Sequence, residues 1–248
     1  LSVALNARVL TGIPEIAPGD PLASRLAALA AADGMEPGDV LVVAHKVVSK
    51  AEGRVVSLAD VVPGAPARAM AERTAKDPAL CELILSESRS IIRERNAVVI
   101  AETHHGFICA NAGIDSSNVA EGTVVLLPRD PDRSARHLQA ATAEMVGGRV
   151  GIVITAPHGR AWRRGLINLA IGVAGVAPVV EHRGGRDREG RLLVATDQGI
   201  ADEIAAAAGS LMGKAAGTPA VIVSDVSTIP SPGGVGDLLR DPELDLFR

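Results

Sequence analysis

Asp39-Val40-Leu41-Val42-Val43-Ala44 (39–44) runs directly into His45-Lys46-Val47-Val48-Ser49-Lys50-Ala51-Glu52-Gly53-Arg54 (45–54). The first stretch is short, apolar and rich in branched residues, which reads as a strand buried on both faces. Ligands in α/β proteins gather beyond the ends of such strands. The second stretch reads as a basic loop carrying Lys46, Lys50 and Arg54. A lysine ammonium is a compact point charge suited to phosphate oxygens, although the same residues also describe a solvated basic face. The stretch is not a P-loop, because GxxxxGK[ST] is absent.

Outward from this pair, residues 3–10 read as a strand. Residues 11–20 form a turn, since Gly12, Pro14, Pro18 and Gly19 exclude regular structure. Helical spacing covers 21–34, with Asp20 as the expected N-cap. On the other side, 66–95 reads as helical with a break at Asp77-Pro78. Strands at 97–101 and 107–110 bracket Thr103-His104-His105-Gly106, and another strand covers 123–127. A helix follows at 131–146, a strand at 149–155, a loop at 156–165 and a small-residue apolar stretch at 166–177. Segments 178–181 and 191–195 frame a charged hairpin at 183–190. The chain closes with an alanine-rich helix at 199–212, a strand at 220–223 and a loop-like tail. Strands and helices mix without strict alternation, so α+β or mixed α/β is expected, as one domain over 1–248.

Composition narrows the function. Of 248 residues, 47% are hydrophobic and 22% charged, enough for a substantial core. Aromatics are Trp162, Phe107 and Phe247, with no tyrosine, so the core is aliphatic. Platforms for stacking bases are missing and the net charge is −4, which argues against a nucleic-acid partner. A nucleotide bound here is expected to be a free one held through its phosphates. Cys81 and Cys109 show no metal or redox spacing and read as free thiols. No apolar run reaches the ~18 residues that span a bilayer. There is no signal-peptide pattern either, so a soluble cytoplasmic protein with no membrane partner is expected.

Gly113-Ile114-Asp115-Ser116-Ser117-Asn118 places a carboxylate, two hydroxyls and an amide behind a glycine. Short polar side chains on a tight turn suit a hard cation and the phosphates it bridges, and they equally suit a capped turn. His104 and His105 diverge as neighbours and read as hairpin-turn residues rather than joint metal ligands. His158, with Arg160, Arg163 and Arg164 beside Trp162, makes a candidate site for an anionic substrate. Asp202 and Glu203 suit a helix N-terminus, while Asp197 stands just before that helix, where it could face a site.

GIPEIAPGD (12–20), HKVVSKAEGR (45–54), AGIDSSN (112–118), GRAWRRG (159–165), AIGVAG (170–175) and ADEIAAAA (201–208) occur in this order. In that order they resemble the coenzyme F420-0:L-glutamate ligase family, the γ-glutamyl ligases of deazaflavin cofactor biosynthesis. The resemblance implies a two-lobed α/β fold that dimerises through intertwined elements, without the C-terminal nitroreductase-like domain some members carry. It implies a GTP-dependent ligase that activates the F420-0 acid as an acyl phosphate and joins it to the amino group of L-glutamate, using Mg²⁺ or Mn²⁺. Carried onto this chain, Ile13, Pro14, Glu15, Ile16, His45, Lys50, Asn118, Met212, Gly213 and Lys214 would hold the nucleotide, and Asp115 a metal. No residue is assigned as general base.

One departure stands out. The family usually has Asp and then Ser or Thr before the Gly-Arg, as metal ligands; this chain has Ala156-Pro157. Ser224-Asp225 likewise replaces the usual Arg-Gly. Three explanations stay open. Asp115, His158 or Asp197 rebuild a poorer metal site; the chain is a substrate-shifted paralogue; or it binds nucleotide or deazaflavin without ligation.

Overall fold

A computed structural model describes residues 5–213, 216–226 and 231–246. The first elements are β1 (Asn6–Val9), α1 (Leu22–Ala32), β2 (Val40–Ala44), α2 (His45–Ala51) and β3 (Val55–Ser57). Then come α3 (Ala65–Thr74), α4 (Pro78–Ser86), β4 (Ser88–Arg95), β5 (Val98–Thr103), β6 (Ile108–Ala110) and β7 (Thr123–Val125). The remainder comprises α5 (Pro131–Val146), β8 (Gly151–Arg160), β9 (Arg163–Ala174), β10 (Val180–Glu181), β11 (Asp197–Gln198), α6 (Ile200–Met212) and β12 (Ala220–Ser224).

The mixed α/β expectation holds. The principal sheet has the order β1-β12-β2-β8-β9, with β2 and β8 parallel and the other pairs antiparallel. Consecutive residues of β2, β8 and β12 are buried, so both faces of the sheet are covered. Helices α5 and α6 both pack on β9, and α1 packs on α5. Gly172 makes this possible at one point: a Cβ there would lie 2.5 Å from the Pro131 carbonyl oxygen. The aliphatic core runs through Leu26, Leu41, Ile152, Ile154, Ile171, Ile204 and Ile222. Strands β4-β5-β6 form a second sheet, and α3 and α4 bury Met70, Cys81 and Ile84 with Val99 in a separate small cluster. No helix among the described residues is long and apolar enough to cross a membrane.

Several local expectations need correction. The basic stretch after β2 is not a loop: His45–Ala51 is helical, with Val47 and Val48 buried. The helical reading of 66–95 holds only to Ser86, because Ser88–Arg95 is β4. Register shifts at Ser88/Ser90 and Ile91/Arg93 break the two-residue alternation that would have marked it as a strand. The supposed loop at 156–165 is a long hairpin in which β8 and β9 pair to Arg160↔Arg163. Pro157 is tolerated because β2 ends opposite Thr155, so that among the described residues β8 has no paired strand on that side. Asp20 does not cap α1; it accepts from Ala17 N–H at 2.8 Å and pairs with Arg25 at 3.1 Å. At the charged hairpin, β10 pairs with β11, while 183–190 closes through an isolated Arg186↔Leu192 bridge.

Candidate active site

At the carboxyl end of β2 the chain turns at once into α2. Lys46 and Lys50, four residues apart, therefore share one helix face. That face forms one wall of a cavity of about 530 Å³. The loop Ile13-Pro14-Glu15-Ile16, Asn118, and Met212 and Gly213 from the end of α6 line it as well. All the proposed nucleotide residues among the described ones thus meet at one cavity. Lys214 lies outside the described residues. Pro157, singled out as a departure from the family pattern, lines it too, and sequence reading did not single out Thr155, Leu166, Asn168 or Gly209, which also line it. They arrive through the β8–β9 hairpin and the approach of α6, and nothing local announces them. Gly209 lets α6 come close, since a Cβ there would sit 2.8 Å from Asn168 side-chain atoms.

The glycine-led turn is held from several sides. Asp115 exchanges backbone hydrogen bonds with Val125 at 3.0 and 2.8 Å. Gly113 adopts φ +75°, and a Cβ there would strike Leu127 at 2.7 Å, so glycine is required twice over. Asp115 Oδ1 accepts the Ser117 N–H at 2.7 Å, closing a capped turn. Its other oxygen, Oδ2, lies 3.0 Å from Lys46 Nζ. The capped-turn reading of this motif is realised, and its carboxylate faces the lysine of the cavity wall. Burial pushes the Asp115 pKa up, but the Ser117 N–H, the Ser117 hydroxyl and Lys46 outweigh it and hold the carboxyl below its usual range.

His45 is buried at the start of α2, and its Nδ1 has no partner among the described residues. Desolvation first, and then the neighbouring Lys46 charge, lower its pKa from 6.5 to about 4, so the ring is neutral at pH 7. Lys50 is paired with Glu15, whose side chain is 84% exposed, so this contact lies at the cavity mouth.

Among the described residues, no group of three His, Cys, Asp or Glu side chains converges as a metal cage. Oxygens converge elsewhere. The Lys46 ammonium donates to Ser117 O at 3.0 Å and to the Ser117 hydroxyl, beside Asp115 Oδ2. Three hard oxygen donors around one positive charge are the chemistry of a Mg²⁺ or Mn²⁺ subsite that phosphate oxygens would complete. The ammonium stands in for the cation, and in that sense the donor set fits such an ion.

The remaining candidates do not line this cavity. His158 sits on β8 and donates Nδ1–H to the Ala156 carbonyl at 3.1 Å. Arg160 and Arg163 are exposed at the tip of the β8–β9 hairpin, and neither they nor His158 is among the lining residues. Ala156 is buried while Pro157 faces the cavity. Asp197 is engaged by Arg183. Asp202, in the first turn of α6, accepts the Ala170 N–H at 2.8 Å, and burial raises its pKa. His104 and His105 occupy the β5–β6 turn as expected; His105 Nε2 contacts the Pro128 carbonyl at 2.9 Å and its ring stacks on Phe107.

Residues 12–225 match the family model described as F420-0:Gamma-glutamyl ligase. The chain is 44% identical over 242 residues to the coenzyme F420:L-glutamate ligase of Methanothermobacter thermautotrophicus, covering 96% of each. It is 44% identical over 239 residues to that of Methanopyrus kandleri, covering 94% of each. With the Archaeoglobus fulgidus protein of the same name the identity is 39% over 238 residues, covering 96% of this chain and 94% of the relative. A match of this length, across the cavity-forming segments and the sheet that carries them, places the chain in the F420-0:gamma-glutamyl ligase family.

Proposed function

We propose that this protein is a ligase of coenzyme F420 biosynthesis that joins L-glutamate by an amide bond to F420-0 at the expense of GTP. One observation carries the reading. Four segments distant in sequence (13–16, 45–50, 118 and 212–213) close around a single cavity with two lysines on its wall. Amide formation from a carboxylate and an amine is uphill in water, so it must be coupled to nucleotide cleavage. In the proposed reaction the F420-0 carboxylate oxygen attacks the γ-phosphorus and the bond to the β–γ bridging oxygen breaks, releasing GDP. The glutamate nitrogen then attacks the acyl carbon, phosphate leaves, and the nitrogen loses a proton.

The chain's own share is positioning and charge. Ile13 to Ile16 enclose the base, the Lys46 and Lys50 ammoniums meet phosphate oxygens, and neutral His45 supports the start of α2 without adding a second fixed charge beside them. A bound Mg²⁺ or Mn²⁺, held by Asp115 and Ser117, would neutralise phosphate charge. The two-lobed arrangement, supported by the separate hydrophobic cluster under α3 and α4, and the intertwined homodimer belong to the same proposal. So does the cytoplasmic location, which would suit small-molecule substrates with no nucleic-acid or membrane partner.

The test is incubation of the full chain with F420-0, L-glutamate, GTP and Mn²⁺, read by mass spectrometry. A product heavier by one glutamyl residue, formed only when all four are present, is expected. GTP binding with no such product under any of these conditions would reject the ligase reading.

A further inference from the structure

The Lys46 ammonium occupies the middle of an oxygen cage that the chain builds at some cost. Asp115 Oδ2 lies 3.0 Å from it and Ser117 O also 3.0 Å, with the Ser117 hydroxyl as a third acceptor. The lysine side chain is only 16% exposed and the aspartate 23%, so this is not a loose surface pair. The cage is preformed. Asp115 is pinned to Val125, Ser117 is pinned to Asp115, and Gly113 admits the turn over Leu127.

A divalent ion entering these oxygens cannot share the space with an ammonium 3.0 Å from the same carboxylate. At such separation the repulsion between like charges is large in a partly buried site. Lys46 projects from α2 and also lines the nucleotide cavity, so its four-carbon stem has a second place to go.

We infer that Lys46 is a built-in competitor for the metal subsite, holding the Asp115–Ser117 oxygens until a divalent cation displaces its ammonium into the cavity, where it becomes a phosphate contact. The inference rests on the proposal that Asp115 meets a divalent cation. Its consequence is ordered charge. Without metal, the cage is neutralised and the cavity has lost one lysine to it. With metal, the ion and the released ammonium both face the nucleotide, so metal and nucleotide strengthen each other's binding.

The experiment is Mn²⁺ titration of the nucleotide-free protein, followed by electron paramagnetic resonance of the free ion. Lys46→Met is expected to bind Mn²⁺ roughly tenfold or more tightly than the unaltered protein, since a competing charge is gone. Lys46→Arg, which keeps the charge, should stay near the unaltered affinity, and adding Asp115→Asn to Lys46→Met should abolish the gain. Equal or weaker Mn²⁺ binding by a folded Lys46→Met overturns the inference.

Should that variant fail to fold, the unaltered protein still decides. Mg²⁺ should shift the Lys46 side-chain NMR resonance along the binding isotherm, and a resonance unmoved at saturation overturns the inference. Calorimetry with GTP separates the two readings. Ordinary GTP binding by the unaltered protein together with unchanged Mn²⁺ affinity in Lys46→Met rejects only the competitor role, whereas no GTP binding by the unaltered protein, with or without Mn²⁺, rejects the ligase reading as well.

Discussion

Lys50 and Gly113 carry different burdens. Lys50 is paired with a mostly exposed Glu15, so an arriving phosphate exchanges one anion for another at little loss. Lys50→Met should therefore weaken GTP binding by roughly tenfold while leaving the melting temperature nearly unchanged, a split that calorimetry and thermal unfolding read directly. Gly113→Ala acts the other way. Its φ of +75° and the Leu127 contact at 2.7 Å predict a loss of about 2 kcal/mol in urea unfolding, with Asp115 displaced. An alanine variant as stable as the parent would show that the turn relaxes freely.

At the same scale, Ala156→Asp with Pro157→Thr returns the side chains expected from the family at the cavity edge. Glutamate ligation should rise with the double change if those ligands are what the site lacks. If it does not rise, the present chain works without them.

At the scale of elements, α2 is held at both ends. Its start grows from β2, and just past its end Arg54 donates to the Leu127 carbonyl at 3.0 Å and pairs with Glu87 at the end of α4. Arg54 is 9% exposed, and removing one partner of such a pair leaves the other desolvated. Arg54→Met should lose about 2–3 kcal/mol in urea unfolding. It should also weaken GTP binding, because the lysine-bearing helix is no longer tethered to α4. Unchanged nucleotide affinity in a destabilised Arg54→Met would confine the pair to a structural role.

Elements were unequally legible before the structure. Helix α5 was expected at 131–146 and spans Pro131–Val146; Asp130 caps its start, accepting from Arg133 N–H at 2.9 Å, and Gly147 ends it. Strand β4 was hidden, because two bulges erased its alternation and its Arg and Glu residues are good helix formers. The β8–β9 arm was hidden by Pro157, which argues against a strand until one sees that β2 has already ended there.

At the scale of the whole molecule, His45 links folding to pH. Its folded-state pKa, about 4, is depressed from 6.5, so between these values the unfolded chain binds more protons than the folded one. Stability should therefore be flat above pH 6.5, fall as pH drops toward 4, and level off below that, losing about 3 kcal/mol from this group. Urea midpoints across this range, compared with those of His45→Gln, isolate the contribution. A His45 resonance titrating above pH 6 would contradict it.

Local patterns in the chain determined the aliphatic core, the buried strand at 40–44, most helices and the chemistry on offer near Asp115, Lys46 and Lys50. Those properties depend on side-chain type and on spacing along a few residues. Only the tertiary structure decided that loop 13–16, α2, Asn118 and the end of α6 share one cavity, or that the Asp115 oxygens close on an ammonium. Such meetings come from sheet order and helix packing, where contacts between residues far apart in sequence leave no periodic trace in either partner.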